Sequence, residues 1–188
     1  SVNILVYTLP LFEKNPDFDM IDAQLTTEIF GFFSPARPDF AVEMAELPIQ
    51  TTARFNAEWI SKFYVSMYSM AANADPNQTT KENLINFAEK SRALLPDDSY
   101  SAKMYDFVKK QYYEDIPWET IRDNVYQRYQ VEQKDGYDLT SRNMRCNACA
   151  AAGINFAASI ISLFAGEGDL KETIKIGSLS GWDSDNAT

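Results

Sequence analysis

Apolar residues recur every three or four positions along most of the chain, the interval at which side chains share one face of an α-helix. Ile21, Leu25 and Ile29 fall at i, i+4 and i+8, and Phe32 continues their face until Pro35 stops it. Asp39 is placed to cap a short helix through Leu47 that Pro48 ends. Phe55, Trp59, Phe63, Met67 and Met70 line one stripe of a long helix over 52–73. Thr79 and Glu82 form a capping box, and Leu84, Phe87, Ala88 and Leu95 are the buried face that follows, up to Pro96. Asp98 reads as the cap of the next helix, marked by Tyr100, Met104, Phe107 and Val108. Pro117 suits the first turn of another, carrying Trp118, Ile121, Val125 and Tyr129.

Residues 130–142 are polar, contain Gly136 and read as a connecting loop. A helix of small residues then runs to about Ala165, where Gly166 and Gly168 end it. Asp169 and Glu172 make a second capping box for a helix through about Ile176. Strand-like alternation is confined to 2–7, and no internal repeat is present. The expected fold is all-α, a single helical domain over 1–188. At helical spacing the Trp, Phe and Met stripes are core rather than a binding groove, and Tyr112 and Tyr113 read as amphipathic bridges between core and surface.

Composition narrows the partners. Of 188 residues, 45 % are hydrophobic and 13 % aromatic, which argues for a packed interior. The 27 acidic residues outnumber the 17 basic ones, for a net charge of −10. No basic cluster offsets that excess, so nucleic acid and anionic membrane surfaces are excluded as expected partners. The most apolar run, 148–165, is interrupted by Gly153, Asn155 and Ser residues and does not read as a membrane span. Cys146 and Cys149 are the only cysteines and the chain has no His, so a four-ligand zinc site of N and S donors is not available. The pair reads as two small core-lining residues. Asn77-Gln78-Thr79 fits a glycosylation sequon in a polar linker, which favours secretion over a cytoplasmic location.

The candidate chemistry lies in Gly181-Trp182-Asp183-Ser184-Asp185-Asn186. Two carboxylates one residue apart on a short turn can converge on Mg²⁺ or Ca²⁺, which prefer hard oxygen donors. The plain alternative is a solvated pair, or a cap on a following helix. Upstream, the small residues of 177–181 can form a turn whose amides meet an anion, or simply join two helices.

Residues 143–186, NMRCNACAAAGINFAASIISLFAGEGDLKETIKIGSLSGWDSDN, resemble the C-terminal signature of the ADP-ribosylglycohydrolase family. There a small-residue helix ends in Gly-Glu-Gly-Asp, a Thr/Ile helix follows, and a Gly-x-Asp-x-Asp turn closes the motif. Residues 19–53 resemble the family's middle region. The resemblance implies an orthogonal multi-helix bundle that hydrolyses the bond between ADP-ribose and a protein side chain or small molecule. It implies two Mg²⁺ ions (or Mn²⁺), with Asp183 and Asp185 as ligands. Asn186 stands where many members have a ligating Thr. Ser178, Ser180, Gly181 and Trp182 become candidate substrate contacts, Trp182 also a candidate anchor. The family's second acidic cluster, Thr-Asp-Asp, has no counterpart, and Asp97-Asp98 sits in a different context. The chain is therefore expected to hold half a metal site, with an N-terminal half of the domain missing. The alternatives are an inactive helical relative that binds or supports, and an unrelated helical domain.

Overall fold

The computed structural model describes residues 17–142 and 148–187. Two short helices, α1 (Asp22–Thr26) and α2 (Ile29–Phe33), lead into α3 (Pro38–Thr52) and α4 (Asn56–Ala71). Next come α5 (Thr80–Arg92), α6 (Tyr100–Tyr113) and α7 (Trp118–Val125). A π-helical turn, Tyr126–Val131, extends α7, and the chain ends with α8 (Ala152–Ala165), α9 (Leu170–Ser180) and α10 (Ser184–Ala187). The fold class is all-α. The only β-type pairing among the described residues is an isolated bridge between Met20 and Ala151. The alternating run 2–7 lies outside the described residues, as does Cys146.

Helices α4 and α8 form the centre. Along α8 every residue from Ala152 to Ala158 is buried, with Ile160, Ile161, Ser162 and Phe164. Phe63 of α4 meets Phe156 of α8 edge-on, with ring centroids 5.0 Å apart. Tyr105 of α6 closes on Phe63 and on Phe164, at 5.9 and 5.8 Å. Each such buried aromatic contributes on the order of 1.5–3 kcal/mol through the surface it removes from water.

One buried residue, Asp19, ties three helix starts to this centre, two through its carboxylate and one through its carbonyl. Asp19 accepts the Ala57 amide of α4 at 3.1 Å and the Tyr100 hydroxyl of α6 at 2.9 Å. Its carbonyl accepts the Ala152 amide that opens α8, at 3.0 Å. Tyr100 in turn stacks edge-on with Tyr137 at 5.2 Å.

Several elements depart from the periodicity. The face Ile21, Leu25, Ile29, Phe32 is not continuous, because the chain breaks between α1 and α2 at Thr27, whose hydroxyl donates to Ala23 O. Ile21 is buried, but Leu25, Ile29 and Phe32 are 47 %, 46 % and 60 % exposed. Pro48 does not end α3, which continues to Thr52. Its missing N–H costs one ladder bond; the end of the helix is then held by Thr51 donating to Pro48 O and Arg54 donating to Gln50 O. Ser99, not Asp98, caps α6, accepting the Ala102 amide at 3.1 Å. The expected loop 130–142 contains short 3₁₀ turns and buries Tyr137 and Leu139 in the core. Cys149 is disulfide-bonded, so it is not a simple reduced core residue.

Thr79 and Glu82 form the expected capping box, and Asp169 caps α9 by accepting the Glu172 amide, while the Glu172 carboxylate pairs with Lys175. Asn77 lies in an exposed turn, its amide group donating to Asp75. No helix among the described residues is long and apolar enough to cross a membrane.

The small residues of α8 set how closely its neighbours approach. A Cβ on Gly153 would stand 2.5 Å from a Tyr100 ring carbon. One on Gly166 would stand 2.8 Å from the Thr173 Cα of α9. Gly166→Ala is therefore expected to lower unfolding stability by about 1–3 kcal/mol in urea titration. An unchanged midpoint would mean that α9 does not lie this close to α8.

Candidate metal and ligand site

The sequence reading ends α9 near Ile176, but the helix runs on to Ser180. Gly177, Ser178 and Ser180 are thus helical, and their amides belong to the i→i−4 ladder rather than to an anion-binding loop. Ser180 is buried and donates to Ile176 O at 2.8 Å, a local bond that suits the helical conformation. Ser178 is exposed. Gly181 stops the helix with φ +91° and ψ −155°, a region essentially reserved for glycine.

Beyond it the chain is held from two sides. Trp182 takes a left-handed backbone, φ +56°, and its indole N–H donates to Gln130 Oε1 at 2.8 Å. Gln130 sits in the π-helical turn that extends α7. The ring packs partly buried against the core, which makes Trp182 an anchor of the turn. The Asp183 amide donates to Asn155 Oδ1 at 3.0 Å. Asn155 is fully buried in α8, and its own amide group donates to Cys149 O and Ala151 O at 2.7 and 2.9 Å. Asp183 O then accepts the Asn186 and Ala187 amides and starts α10.

That backbone brings the Asp183 and Asp185 side chains into contact. The Asp183 carboxyl is pushed above its ordinary range, first by its hydrogen bond with Asp185, then by burial and by the charge of Asp185. Two carboxylates in contact disfavour each other's ionisation, so a proton or a cation between them is favourable. The donor set fits a hard divalent ion, to which it offers a pair of oxygens. The third predicted ligand is aimed elsewhere: Asn186 Oδ1 accepts from Gln24 Nε2 of α1 at 3.0 Å. Asn186 Nδ2 and Gln24 Oε1 are buried without a hydrogen-bond partner. No group of three His, Cys, Asp or Glu side chains suited to a metal ion occurs among the described residues.

Asn186 also lies on the wall of a cavity of about 240 Å³ between α4, α5, α8 and the chain's last turns. Glu28 enters the same cavity beside Tyr64 and Tyr68. Burial pushes the Glu28 carboxyl up, against a hydrogen bond from Tyr68 that holds it down. Burial and the Glu28 charge push the Tyr68 phenol up to about 12. A second, more open cavity, about 340 Å³, brings Ser180 and Trp182 together with Arg122, Asp123 and Tyr126. Ser178 and Gly181 are not part of its lining.

Gln24, Glu28 and Asn155 were not among the residues singled out for the site. Asn155 carries a signal, an amide inside an otherwise small and apolar helix, and Glu28 is a lone charge before Ile29-Phe30-Gly31-Phe32-Phe33. Gln24 carries none. No family model, curated protein or solved structure matches the chain.

Removing the Asn155 side chain takes the acceptor from the Asp183 amide and a donor from Cys149 O, so Asn155→Ala is expected to cost about 2–3 kcal/mol in urea unfolding. A loss below about 0.5 kcal/mol would show that the turn is not anchored there. The raised Asp183 pKa has a definite sign. The folded state holds this proton more tightly than the unfolded chain, so the stability it adds is full at low pH and is lost as pH rises through the raised value. Asp185→Asn removes the opposing charge. In metal-free buffer it is expected to stabilise the protein at pH 7 by less than about 1 kcal/mol, since solvent screens the pair, with no gain at pH 3. A destabilised variant at pH 7 would contradict the repulsive pairing.

Proposed function

We propose that this chain is a metal-dependent hydrolase of the ADP-ribosylglycohydrolase type, acting on ADP-ribose joined to a protein side chain or small molecule. The observation that carries this reading is the contact between the Asp183 and Asp185 carboxylates on a turn that Asn155 holds from the core. The all-helical architecture and the resemblance of residues 143–186 support it.

Asp183 and Asp185 are the residues that would hold Mg²⁺ (or Mn²⁺), as part of the ligand set. Such ions would supply a Lewis acid for developing negative charge and for orienting ribose hydroxyls. The net reaction adds the oxygen of water to the anomeric carbon, breaks the glycosidic bond and gives the leaving group a proton. Within the chain, Asn155 fixes the backbone of Asp183 and Gln130 fixes Trp182, so that the carboxylates are presented without reorganisation. The 177–180 stretch, being helical, is not the donor of diphosphate amides. Ser180 and Trp182 remain candidate contacts through the cavity they share with Arg122.

A second reading is a helical relative that binds without hydrolysis. One observation favours it: the oxygen of Asn186, where a ligand is expected, is already engaged by Gln24.

Calorimetric titration of ADP-ribose into the full chain, with Mg²⁺ and again with EDTA, tests the reading. Binding that requires Mg²⁺ and is lost in Asp183→Ala is expected. Absence of binding by the folded protein under both conditions would overturn it, while metal-dependent binding with no turnover of an ADP-ribosylated substrate would leave the second reading.

A further inference from the structure

We propose that the cavity between α4, α5 and α8 is a binding site for a small organic cation with an apolar body, held by Glu28. The inference stands apart from the hydrolase reading, because it uses none of the acidic turn's carboxylates.

The cavity's chemistry is one-sided. Its walls are aromatic and aliphatic, with Phe63, Tyr64, Met67, Tyr68 and Phe87 on the side of α4 and α5. Glu28 is the one charged residue in the lining, and no Lys or Arg lines it among the described residues. Ser162 donates to Ser159 O at 2.9 Å and Thr173 to Asp169 O at 2.8 Å, whereas the Tyr64 hydroxyl and Asn186 Nδ2 are buried there without a hydrogen-bond partner. An anion entering this space would meet the Glu28 carboxylate with neutral donors, the Tyr64 hydroxyl and Asn186 Nδ2, but no positive charge to offset it. A diphosphate is therefore excluded on charge, and a neutral apolar molecule would leave Glu28 desolvated and without a counter-charge.

A cation resolves both problems. Glu28 forms no salt bridge with a described residue, and only Tyr68 bonds to it from the same helix cluster. An ammonium brought beside it gains a charge-assisted bond in a partly dry setting. Tyr64 and Tyr68 line the same cavity and surround that position with aromatic surface, which favours a cation over a neutral group. The apolar remainder of the ligand then lies against Met67 and Leu84, which are only partly buried. The volume of about 240 Å³ limits the occupant.

Phenethylammonium is a suitable probe, with phenethyl alcohol as its neutral isostere and phenylacetate as the anion. Ligand-detected NMR titration of the full chain is expected to give a Kd on the order of millimolar for the ammonium. The alcohol is expected to bind about tenfold more weakly and phenylacetate not at all. Glu28→Gln, with unchanged circular dichroism, is expected to weaken the ammonium about tenfold and to leave the alcohol unaffected. Should Glu28→Gln fail to fold, the comparison of ammonium with alcohol on the natural chain decides alone. Equal affinity for the two, retention of ammonium affinity in the folded Glu28→Gln protein, or no ammonium binding at all would each overturn the proposal.

Discussion

The thinness of helix α8 is the constraint on which the surrounding structure depends. Its Ala, Gly and Ser side chains let Tyr100 lie against Gly153 and let Thr173 of α9 approach Gly166 closer than a Cβ allows. Close approach of α9 determines where Gly181 turns, and so where Asp183 can reach the Asn155 amide. A bulkier α8 would push α6 and α9 outward, separate Asp183 from Asn155 and loosen the acidic turn. Steric constraint in the core is thus converted into position at the edge of the fold.

Position then creates an electrostatic imbalance. Asp183 and Asp185 lie side by side in a chain that already carries a net charge of −10. Their repulsion is tolerated because the backbone is fixed from behind by neutral groups, the Asn155 amide and the Gln130–Trp182 bond. Held in this way, the backbone of the turn keeps the two carboxylates on neighbouring positions of one short segment. On the other side of Asn186, Glu28 presents a second, chemically separate demand for positive charge within an aromatic cavity.

Much of the fold was legible because helical propensity and capping are local. Thr79 with Glu82, and Asp169 with the Glu172 amide, mark helix starts from residues three apart, and the structure keeps both. Ser99 shows the limit of that reading: with Asp97, Asp98 and Ser99 adjacent, only the tertiary placement decides which side chain reaches the Ala102 amide. The apolar face from Ile21 to Phe32 was misleading, since correct spacing across a helix break no longer means a shared face. Tyr137 was lost inside a polar stretch because its burial depends on Tyr100 and Tyr129, far apart in sequence.

The site was legible in part for the same reason. The spacing of Asp183 and Asp185 is local, and their contact follows from the turn. The Gln24–Asn186 bond spans 162 residues, and the Asn155–Asp183 bond spans 28. Neither partner choice has a signature in the periodicity. The length of α9 was underestimated because Gly177 and Ser178 look like loop residues, whereas burial of Ile176, Gly177 and Ser180 keeps the helix intact to Gly181.

We propose that the Asp183–Asp185 pair receives a divalent cation. Electron paramagnetic resonance of free aqueous Mn²⁺, titrated against the full chain, tests it most directly. Depletion of the free-ion signal by the natural chain, abolished in Asp183→Asn and competed by Mg²⁺, is the result the account predicts. An unchanged signal, or equal depletion by the natural chain and the variant, would contradict it.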